Sequence, residues 1–507
     1  MAEPKPRTAT GALPPKPEEI HLAPPAARRV DWRRLVFIAL GLAAFTAIVL
    51  SPPWPDAVDP AGEHFVLSRE GQAAMGLFML ALIWWVFEVV PIGVTAIAIG
   101  VVQALFLIRP AKTAFTDFMD PSVWFIFGSL VIGMVFTKTG LTKRIAYRTL
   151  MLVGERTSMI YLGCFAMTAA LTLVMAHTAV AATVYPLLMA IHSLYQEDDQ
   201  PTRFGKGLFI GMAFVAGAGS VVTLLGAARG PVAIGFFKDM VGREISFFEL
   251  SYYMLPLGWG MALLLWIYCT LFFKPERPVI SGLRERARVL HERLGPMSRE
   301  EVLAVVIVLA IILTLSLRSF VPALEPLDKS AIILVSTILF FMMGILGVKD
   351  LEDIPWNIIL LFGGAMSIGL CLWQTGAASW LAVNWLVLFQ DAHWLVFVLG
   401  VALFVLVMTN FIMNVAAIAI CLPVALVIAG YLHVAPEVIL FSALATAGMP
   451  FLLLIGAAPN AIAYGSRQFT SGEFFTAGVP ASLMLMVVLG LFIWFVWPLM
   501  GMPVLLS

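Results

Sequence analysis

The sequence predicts an all-α polytopic membrane protein with about eleven transmembrane helices and two re-entrant hairpins in an inverted-topology repeat. Of its 507 residues, 61% are hydrophobic and only 12% are charged. A water-soluble chain of this length could not cover so much apolar surface. The second observation is a series of apolar runs of membrane-spanning length, and the third is an internal similarity between the two halves of the chain.

The spans follow from length, because about 20 apolar residues in a helix cross the hydrocarbon core of a bilayer. We place the eleven spans at residues 34–52, 72–90, 92–109, 122–138, 207–237 (broken), 248–272, 301–318, 330–347, 357–374, 437–465 (broken) and 476–500.

Two further apolar stretches, 160–193 and 394–432, do not fit single spans. Each exceeds 30 residues, which would make a continuous helix of about 50 Å. Neither contains a polar turn long enough to separate two full crossings. We therefore expect each stretch to form a re-entrant hairpin of two half-helices.

Positive charge predicts the orientation, because Lys and Arg are retained on the cytoplasmic side of a membrane protein. Basic residues precede the first span, follow the fourth span between Lys138 and Arg148, and fill the segment 274–300. The alternation of spans puts all three groups on one side. We expect a multi-pass protein of the inner cell membrane with a cytoplasmic N-terminus, and segment 274–300 as an orientation signal that contacts anionic lipid.

The remaining composition excludes other classes of partner. Lys plus Arg and Asp plus Glu are both 31, so net charge gives no sign of nucleic-acid binding. The four cysteines lie apart inside apolar runs, which indicates free thiols without disulfides or a zinc site. The predicted organisation is a disordered cytoplasmic tail (1–30), N-terminal scaffold helices (31–115), a first inverted repeat (116–273), a basic cytoplasmic loop (274–300), linking scaffold helices (301–350) and a second inverted repeat (351–507).

Three pairs of segments carry the internal repeat. FGSLVIGMVFTKTG (127–140) aligns with FGGAMSIGLCLWQTG (362–376), AHTAVAATVYP (176–186) with MNVAAIAICLP (413–423), and LGAARGPVAIG (225–235) with IGAAPNAIAYG (455–465). His177 and Asn414 are counterparts, each nine residues before a proline. The order helix, hairpin, broken helix, helix thus occurs twice, from opposite sides of the membrane, which is typical of secondary transporters.

Broken helices inside a membrane also predict where a site lies. The freed backbone groups need protein, water or ligand partners. Helix N-termini suit anions, and freed carbonyls suit cations such as Na+. We expect two hairpin tips and two broken helices to enclose one site near the midplane.

From about residue 72 to residue 500, the sequence resembles the divalent anion/sodium symporter family, the carriers of dicarboxylates and sulfate. The resemblance rests on LIWWVFEVVP (82–91) and AAPNAIAYGS (457–466). It implies a homodimer in which each protomer has a scaffold and a transport domain that moves like an elevator. It also implies substrate contacts by His177, Thr178, Arg229, Asn414, Val415, Pro459 and Asn460, and a Na+ site at the second tip formed by Asn414, Gly456, Ala457 and Asn460.

The departures from that family concern the tips. Where the family has Ser-Asn-Thr, this chain has Ala176-His177-Thr178 and Met413-Asn414-Val415. The first break reads GAARGP (226–231) where the family has Gly-Thr-Pro-Pro-Asn. The first half has therefore lost the hydroxyl and amide oxygens that Na+ prefers.

Our hypothesis is that the first-half cation site is altered or absent, and that Arg229 supplies a permanent positive charge in place of Na+. A guanidinium can also hold a carboxylate or sulfate with two parallel hydrogen bonds. His177 could couple transport to protons, and one Na+ site could survive in the second half. No cofactor is expected beyond Na+ or H+ as the coupling ion.

Each of these residues also has a purely structural interpretation. His177 could bond a backbone carbonyl, Arg229 could reach an interface or pair with an acid, and Thr178 could bond its own preceding turn. The amides of Asn414 and Asn460 could satisfy opened backbone. We expect His192, near the acidic end of the first hairpin, to be solvated.

The leading function is secondary active transport of small divalent anions, dicarboxylate or sulfate-like, by an elevator-type mechanism. The alternatives are an oxyanion or anion exchanger of the same superfamily, and a non-transporting membrane protein that keeps the fold. An enzyme is not expected. No metalloprotease pattern occurs, since His291-Glu292 is followed by Arg293-Leu294-Gly295, and no paired aspartates lie inside the helices.

Overall fold

The computed structural model describes residues 32–58, 64–87, 89–196, 200–386 and 393–506. The predicted tail, 1–30, lies outside these residues. Within them the chain is helical except for one antiparallel ribbon of two short strands, β1 (Ala57–Val58) and β2 (His64–Phe65), and two isolated bridges. The all-α class is therefore confirmed.

The α-helices before the basic segment are α1 Trp32–Leu50, α2 Arg69–Val86, α3 Ile92–Leu105, α4 Ala111–Thr116, α5 Pro121–Thr139, α6 Leu141–Val153, α7 Thr157–Leu171, α8 His177–Tyr195, α9 Arg203–Gly219, α10 Arg229–Val241 and α11 Phe247–Phe272. Those that follow are α12 Leu283–Arg293, α13 Arg299–Leu317, α14 Lys329–Met342, α15 Val348–Glu352, α16 Trp356–Gln374, α17 Ala377–Leu386, α18 Trp394–Phe411, α19 Asn414–Tyr431, α20 Pro436–Ala447, α21 Ala458–Tyr464, α22 Ser471–Leu491 and α23 Trp497–Leu499.

Every predicted span coincides with a helix or with a broken helix. Among the described residues, nine helices are long and apolar enough to cross a membrane individually. The broken spans are α9 with α10 and α20 with α21, interrupted at residues 220–228 and 448–457. The polytopic membrane architecture is confirmed, and the two predicted breaks lie in the segments expected from the Gly, Ala and Pro pattern.

The repeat is visible in the order of elements. α5 to α11 and α16 to α22 each comprise a long helix, a shorter helix, a helical hairpin, a broken helix and a further long helix. The Thr-Gly pair shared by the two sequences ends α5 and α16, because Gly140 (φ 83°) and Gly376 (φ 76°) adopt the left-handed conformation that stops a helix. The opposite orientation of the two copies remains a prediction.

Both predicted hairpins are present. α7 and α8 are joined at residues 172–176, and α18 and α19 are joined at 412–413. Their arms contain 15 to 19 residues, about 22–28 Å each, which agrees with the division of each predicted stretch into two arms. The first hairpin extends from Thr157 to Tyr195, beyond the predicted 160–193.

Packing groups most of the helices into two sets, which contact each other where α16 packs on α19 and α5 packs on α10. α7 to α11 and α18 to α22 form a hairpin set, in which α9 packs on α7, α8, α11 and α21, and α10 packs on α19 and α20. α1 to α5, α13, α14 and α16 form a wall set, in which α16 packs on α3 and α5 packs on α14. The first-half broken helix thus packs on second-half elements, so the two repeats interlock within the hairpin set.

The basic segment 274–300 is structured. Its helix α12 packs on α6, and Arg144 of α6 donates to Glu301 (2.9 and 3.0 Å) and to the carbonyls of Gly295 and Pro296. The Arg144 and Glu301 side chains are only 8% and 5% exposed. The segment therefore fixes the start of α13 against α6, in addition to the orientation role predicted for its charges.

We expect Arg144→Met to lower the free energy of unfolding by about 3–5 kcal/mol, because it leaves the buried Glu301 carboxylate without a counter-charge. Denaturant titration in detergent measures this change. The control is Arg288→Met, which breaks an exposed pair with Glu292 and should change the free energy by less than about 0.5 kcal/mol. The double variant Arg144→Met, Glu301→Met should recover part of the loss. If Arg144→Met and Arg288→Met lowered the free energy of unfolding equally, the Arg144–Glu301 pair would not be a stabilising buried contact.

Candidate functional site

Both hairpin tips and both breaks border one cavity of about 1000 Å³. Its opposite wall is formed by α5 and α16 of the wall set. The cavity extends to the exposed residues Lys138 and Lys143, on the side predicted to face the cytoplasm. The structure thus brings together the four segments that the repeat pattern predicts around a single site.

The predicted site residues divide into two groups. Those that line the cavity are His177, Thr178, Asn414, Val415, Gly456 and Ala457. Those that lie behind the lining are Arg229, Pro459 and Asn460, all of them buried.

The first tip is bound to the first break. The backbone N–H of His177 donates to the carbonyl of Gly226 (2.9 Å), and its ring Nδ1 lies 3.3 Å from the same oxygen. Thr223 donates its hydroxyl to the carbonyl of Leu173 (2.8 Å). His177 therefore bonds a backbone carbonyl, as its structural interpretation predicted, and it also lines the cavity.

Arg229 lies between the two broken helices. Its side chain is 1% exposed, and Nη2 donates to Oγ of Ser220 (2.7 Å) at the end of α9. A Cβ on Gly448, at the end of α20, would lie 2.6 Å from the same nitrogen. The guanidinium thus occupies the gap between two helix C-termini, where partial negative charge concentrates.

Arg229 has no carboxylate within 4.0 Å in the part of the chain that the structure describes, and its Nη1 has no hydrogen-bond partner there. Both structural interpretations of this arginine are therefore wrong, because it neither reaches an interface nor pairs with an acid. The predicted hydrogen bonds from Arg229 to the substrate are also not possible in this conformation, because the side chain lies behind the cavity lining.

Amides support the second break. Asn460 donates through Nδ2 to the carbonyls of Pro450 (2.8 Å) and Leu453 (3.1 Å). Asn410, which the sequence analysis missed, accepts through Oδ1 from the N–H groups of Leu452 (2.9 Å) and Leu453 (3.0 Å). The sequence did contain a sign of this role, because Asn410 is an amide in the apolar run of α18, four residues before Asn414. Polar residues inside a membrane are candidates for a functional role.

The two halves share a further feature. Thr172 and Thr409 each lie five residues before the polar residue of their tip, His177 or Asn414. A Cβ on Gly226 would be 2.7 Å from the Thr172 carbonyl oxygen, and one on Gly456 would be 3.1 Å from that of Thr409. In each half a glycine of the break thus lies against a carbonyl in the last turn of a hairpin arm. Freed carbonyls of this kind suit Na+.

Asn414 completes the lining at the second tip. It begins α19, its residue is 9% exposed, and its side chain makes no hydrogen bond with the described residues. An unpartnered amide beside a cavity can receive or donate a hydrogen bond to a ligand. The predicted cation residues Asn414, Gly456 and Ala457 therefore all line the cavity, whereas Asn460 lies behind the lining.

The mouth of the cavity carries charge. Lys138 bonds Asp350 (2.6 Å), and this hydrogen bond holds the pKa of the Asp350 carboxyl below its ordinary value. Asp350 also accepts from the N–H of Gly347. Lys143 is exposed beside them. Positive charge at the mouth attracts anions from solution.

The predicted exposure of His192 is wrong. This residue is 3% exposed, and its Nε2 lies 3.0 Å from the hydroxyl of Thr202. The first turn of α9 covers it closely, because a Cβ on Gly205 would be 2.9 Å from the ring. The sequence showed only the acidic residues that follow it, not the helix that packs over it.

Comparison with known proteins finds relatives over most of the chain. The family model described as "Sodium:sulfate symporter transmembrane region" matches residues 34–503. A protein named sodium-dependent dicarboxylate transporter SdcS, from Staphylococcus saprophyticus, is 25% identical over 460 residues, which cover 86% of this chain and 88% of that protein.

Two solved structures resemble the fold. The YdaH transporter of Alcanivorax borkumensis superposes with a TM-score of 0.56 at 14% identity, covering 93% of this chain and 98% of that one. MtrF of Neisseria gonorrhoeae superposes with a TM-score of 0.54 at 14% identity, covering 91% and 93%. At this identity the likeness concerns the fold alone.

The support of the second break can be tested with Asn410→Leu. We expect this substitution to destabilise the protein by about 1–3 kcal/mol for each backbone N–H that it leaves unpartnered, measured as the free energy of unfolding in detergent. Asn410→Asp, which keeps an acceptor oxygen, should lose less. The control is Asn384→Ala, an exposed residue that bonds its own helix and should be near neutral. A neutral Asn410→Leu variant would show that the break does not depend on this amide.

Proposed function

The chain belongs to the sodium:sulfate symporter family, and from this membership we propose that it is a secondary active transporter of small divalent anions, dicarboxylate or sulfate-like. The observation that carries the proposal is the single cavity bordered by both tips and both breaks. The staphylococcal relative, named as a sodium-dependent dicarboxylate transporter, supports this substrate class.

We propose an elevator-type movement of the hairpin set against the wall set. The hairpin set contains both tips and both breaks, and its two halves interlock, so it can move as one body. The cavity lies between this set and the α5–α16 wall, so a displacement along the wall would change the side to which the cavity opens. The homodimer and the cytoplasmic N-terminus belong to the same proposal.

For coupling, we propose that Arg229 replaces one bound cation. Its guanidinium lies between the C-termini of α9 and α20 without a carboxylate partner, where a positive charge stabilises two helix ends. The second half keeps Asn414, Gly456 and the Thr409 carbonyl beside the cavity, which suits one Na+. A fixed charge in the first half also favours anion exchange as a second candidate function.

His177 connects anion binding to a proton. A carbonyl oxygen accepts only, so the contact with Gly226 places the hydrogen on Nδ1 and leaves Nε2 of the neutral ring as an acceptor. Nε2 can donate to an anion only after it gains a proton.

Sodium replacement tests the coupling proposal. In proteoliposomes, we expect net uptake to depend on Na+ with a Hill coefficient near one, and anion exchange to persist when Na+ is replaced by choline. Arg229→Gln should abolish transport, and Arg229→Lys should retain part of it because the charge is kept. Loss of all transport without Na+, exchange included, would overturn the role given to Arg229.

The pH dependence tests His177. Because the protonated ring is the donor, anion affinity should rise as the pH is lowered, and His177→Asn should remove this dependence while it restores the amide of the family. Equilibrium anion binding to purified protein at several pH values measures the effect. A pH profile that is unchanged in His177→Asn would exclude His177 as the titrating group.

A further inference from the structure

We infer that, within the proposed class of divalent anions, the preferred substrate carries its charge at one end and an apolar body at the other, and binds better than a compact ion such as sulfate or succinate. This inference rests on the proposed transport function and concerns the same cavity. It narrows the substrate class to anions such as alkyl-substituted malonates and other amphipathic carboxylates or sulfonates.

The first observation is the wall that faces the tips. Along α5 and α16 it is formed mainly by apolar side chains, among them Ile126, Leu130, Met134, Ile358 and Phe362. Such a surface gains free energy by excluding water, in proportion to the apolar area covered by a ligand. A fully polar anion would leave this wall hydrated or unfilled.

The second observation concerns the hydroxyl groups that line the cavity outside the tips, those of Ser129 and Thr137 on α5 and of Thr183 on α8. Ser129 donates to the carbonyl of Ile126 (2.8 Å), Thr137 to that of Gly133 (3.0 Å), and Thr183 to that of Ala179 (2.8 Å). Their hydrogens are used within their own helices, so these groups have none to offer to an anion. They line the cavity without forming an anion site.

The third observation is the position of the available donors. Thr178, Asn414 and Tyr147 make no side-chain hydrogen bond with the described residues; the first two line the cavity at the tips, and Tyr147 lines it on α6, one turn after Lys143. The helices α8 and α19 begin at the tips, at His177 and Asn414, and point their N-terminal partial charges at the same place. Because Asn414 is buried and unpartnered, it identifies this end as the place of the charged group.

The fourth observation is the distribution of full charges. Among the described lining residues, the Lys and Asp side chains are Lys138, Lys143 and Asp350, all at the mouth, and the first of these is paired with the last. Between the mouth and the tips the lining offers no cation for a second, distant anionic group. An anion with charge at both ends would therefore place the second charge against the apolar wall unless it were long enough to reach Lys143 at the mouth.

Size agrees with this distribution. A volume of about 1000 Å³ lies at the upper end of the range, about 300–1,000 Å³, of pockets for drug-sized ligands. A compact inorganic anion would occupy a small part of it.

The test is a binding series with a constant head group. Malonate, methylmalonate, butylmalonate and hexylmalonate are titrated into the full-length protein in detergent by calorimetry, with empty micelles as the blank and with succinate, suberate and sulfate for comparison. Each buried methylene should tighten the Kd about fourfold, so hexylmalonate should bind at least tenfold more tightly than methylmalonate. Suberate, charged at both ends, should gain nothing over succinate.

The outcomes separate the two proposals. Binding of succinate or sulfate as tight as that of hexylmalonate would overturn this inference and leave the transport function standing. If no anion of the series bound and none were taken up by proteoliposomes, the proposed function itself would fall.

A variant of the wall gives an independent measurement. Leu130→Asn should weaken hexylmalonate binding about tenfold and leave malonate within twofold, because only the longer ligand reaches α5. Leu130→Met, which conserves volume and polarity, is the matched control and should bind both ligands as the parent protein does. If Leu130→Asn weakened both ligands equally, or neither, the apolar body would not lie on this wall. If that variant did not fold, Met134→Gln would replace it.

Discussion

The structure depends on one constraint: a peptide group that leaves helical hydrogen bonding inside a membrane must find its partner within the protein. The chain opens its helices at 220–228 and at 448–457, and neighbouring segments supply the partners. His177 and Thr223 connect the first break to the first tip, and Asn410 and Asn460 close the second. Because His177 and Asn410 belong to the hairpins, tips and breaks cannot be positioned separately.

Ion pairs and helix packing between the two halves of the repeat connect them to each other. Lys206, in the first turn of α9, pairs with Glu473 in the first turn of α22. Glu437, in the first turn of α20, pairs with Arg243 just before α11. In the repeat, α9 corresponds to α20 and α11 corresponds to α22. Each ion pair therefore joins the broken helix of one copy to the start of the last long helix of the other copy. The same relation places α10 on α19 and α21 on α8, so each break is covered by the other half.

The fold was largely predictable because its signals are local. Apolar run length located the spans, and Gly, Ala and Pro in the apolar runs located both breaks. What the sequence did not show depends on which surfaces meet. Run length alone did not give the full arms of the hairpins, and His192 is buried by a helix that follows it in the chain. Segment 274–300 has the composition of a loop, but α6 gives its helix a surface to pack on.

The internal repeat made part of the candidate site predictable, because polar residues at counterpart positions of the two copies line the cavity. Counterpart positions led to His177 and Asn414, which line the cavity. The repeat could not tell which polar residues face the ligand and which support the backbone, because both types occur at the same spacing. Asn460 supports the second break from behind the lining, and Asn410 was missed because its counterpart in the first half, Leu173, is apolar.

Under the proposed role of Arg229, the two halves would differ in what they move. A Na+ held at a break leaves with the substrate, whereas a guanidinium attached to α10 returns with the empty carrier. The positive charge between the ends of α9 and α20 would then be present in the loaded and the unloaded protein. The helix ends would stay neutralised without an ion, which lowers the cost of moving them empty. A bound divalent anion would be balanced by the arginine together with one Na+ or proton, so that ion would set the direction of net transport.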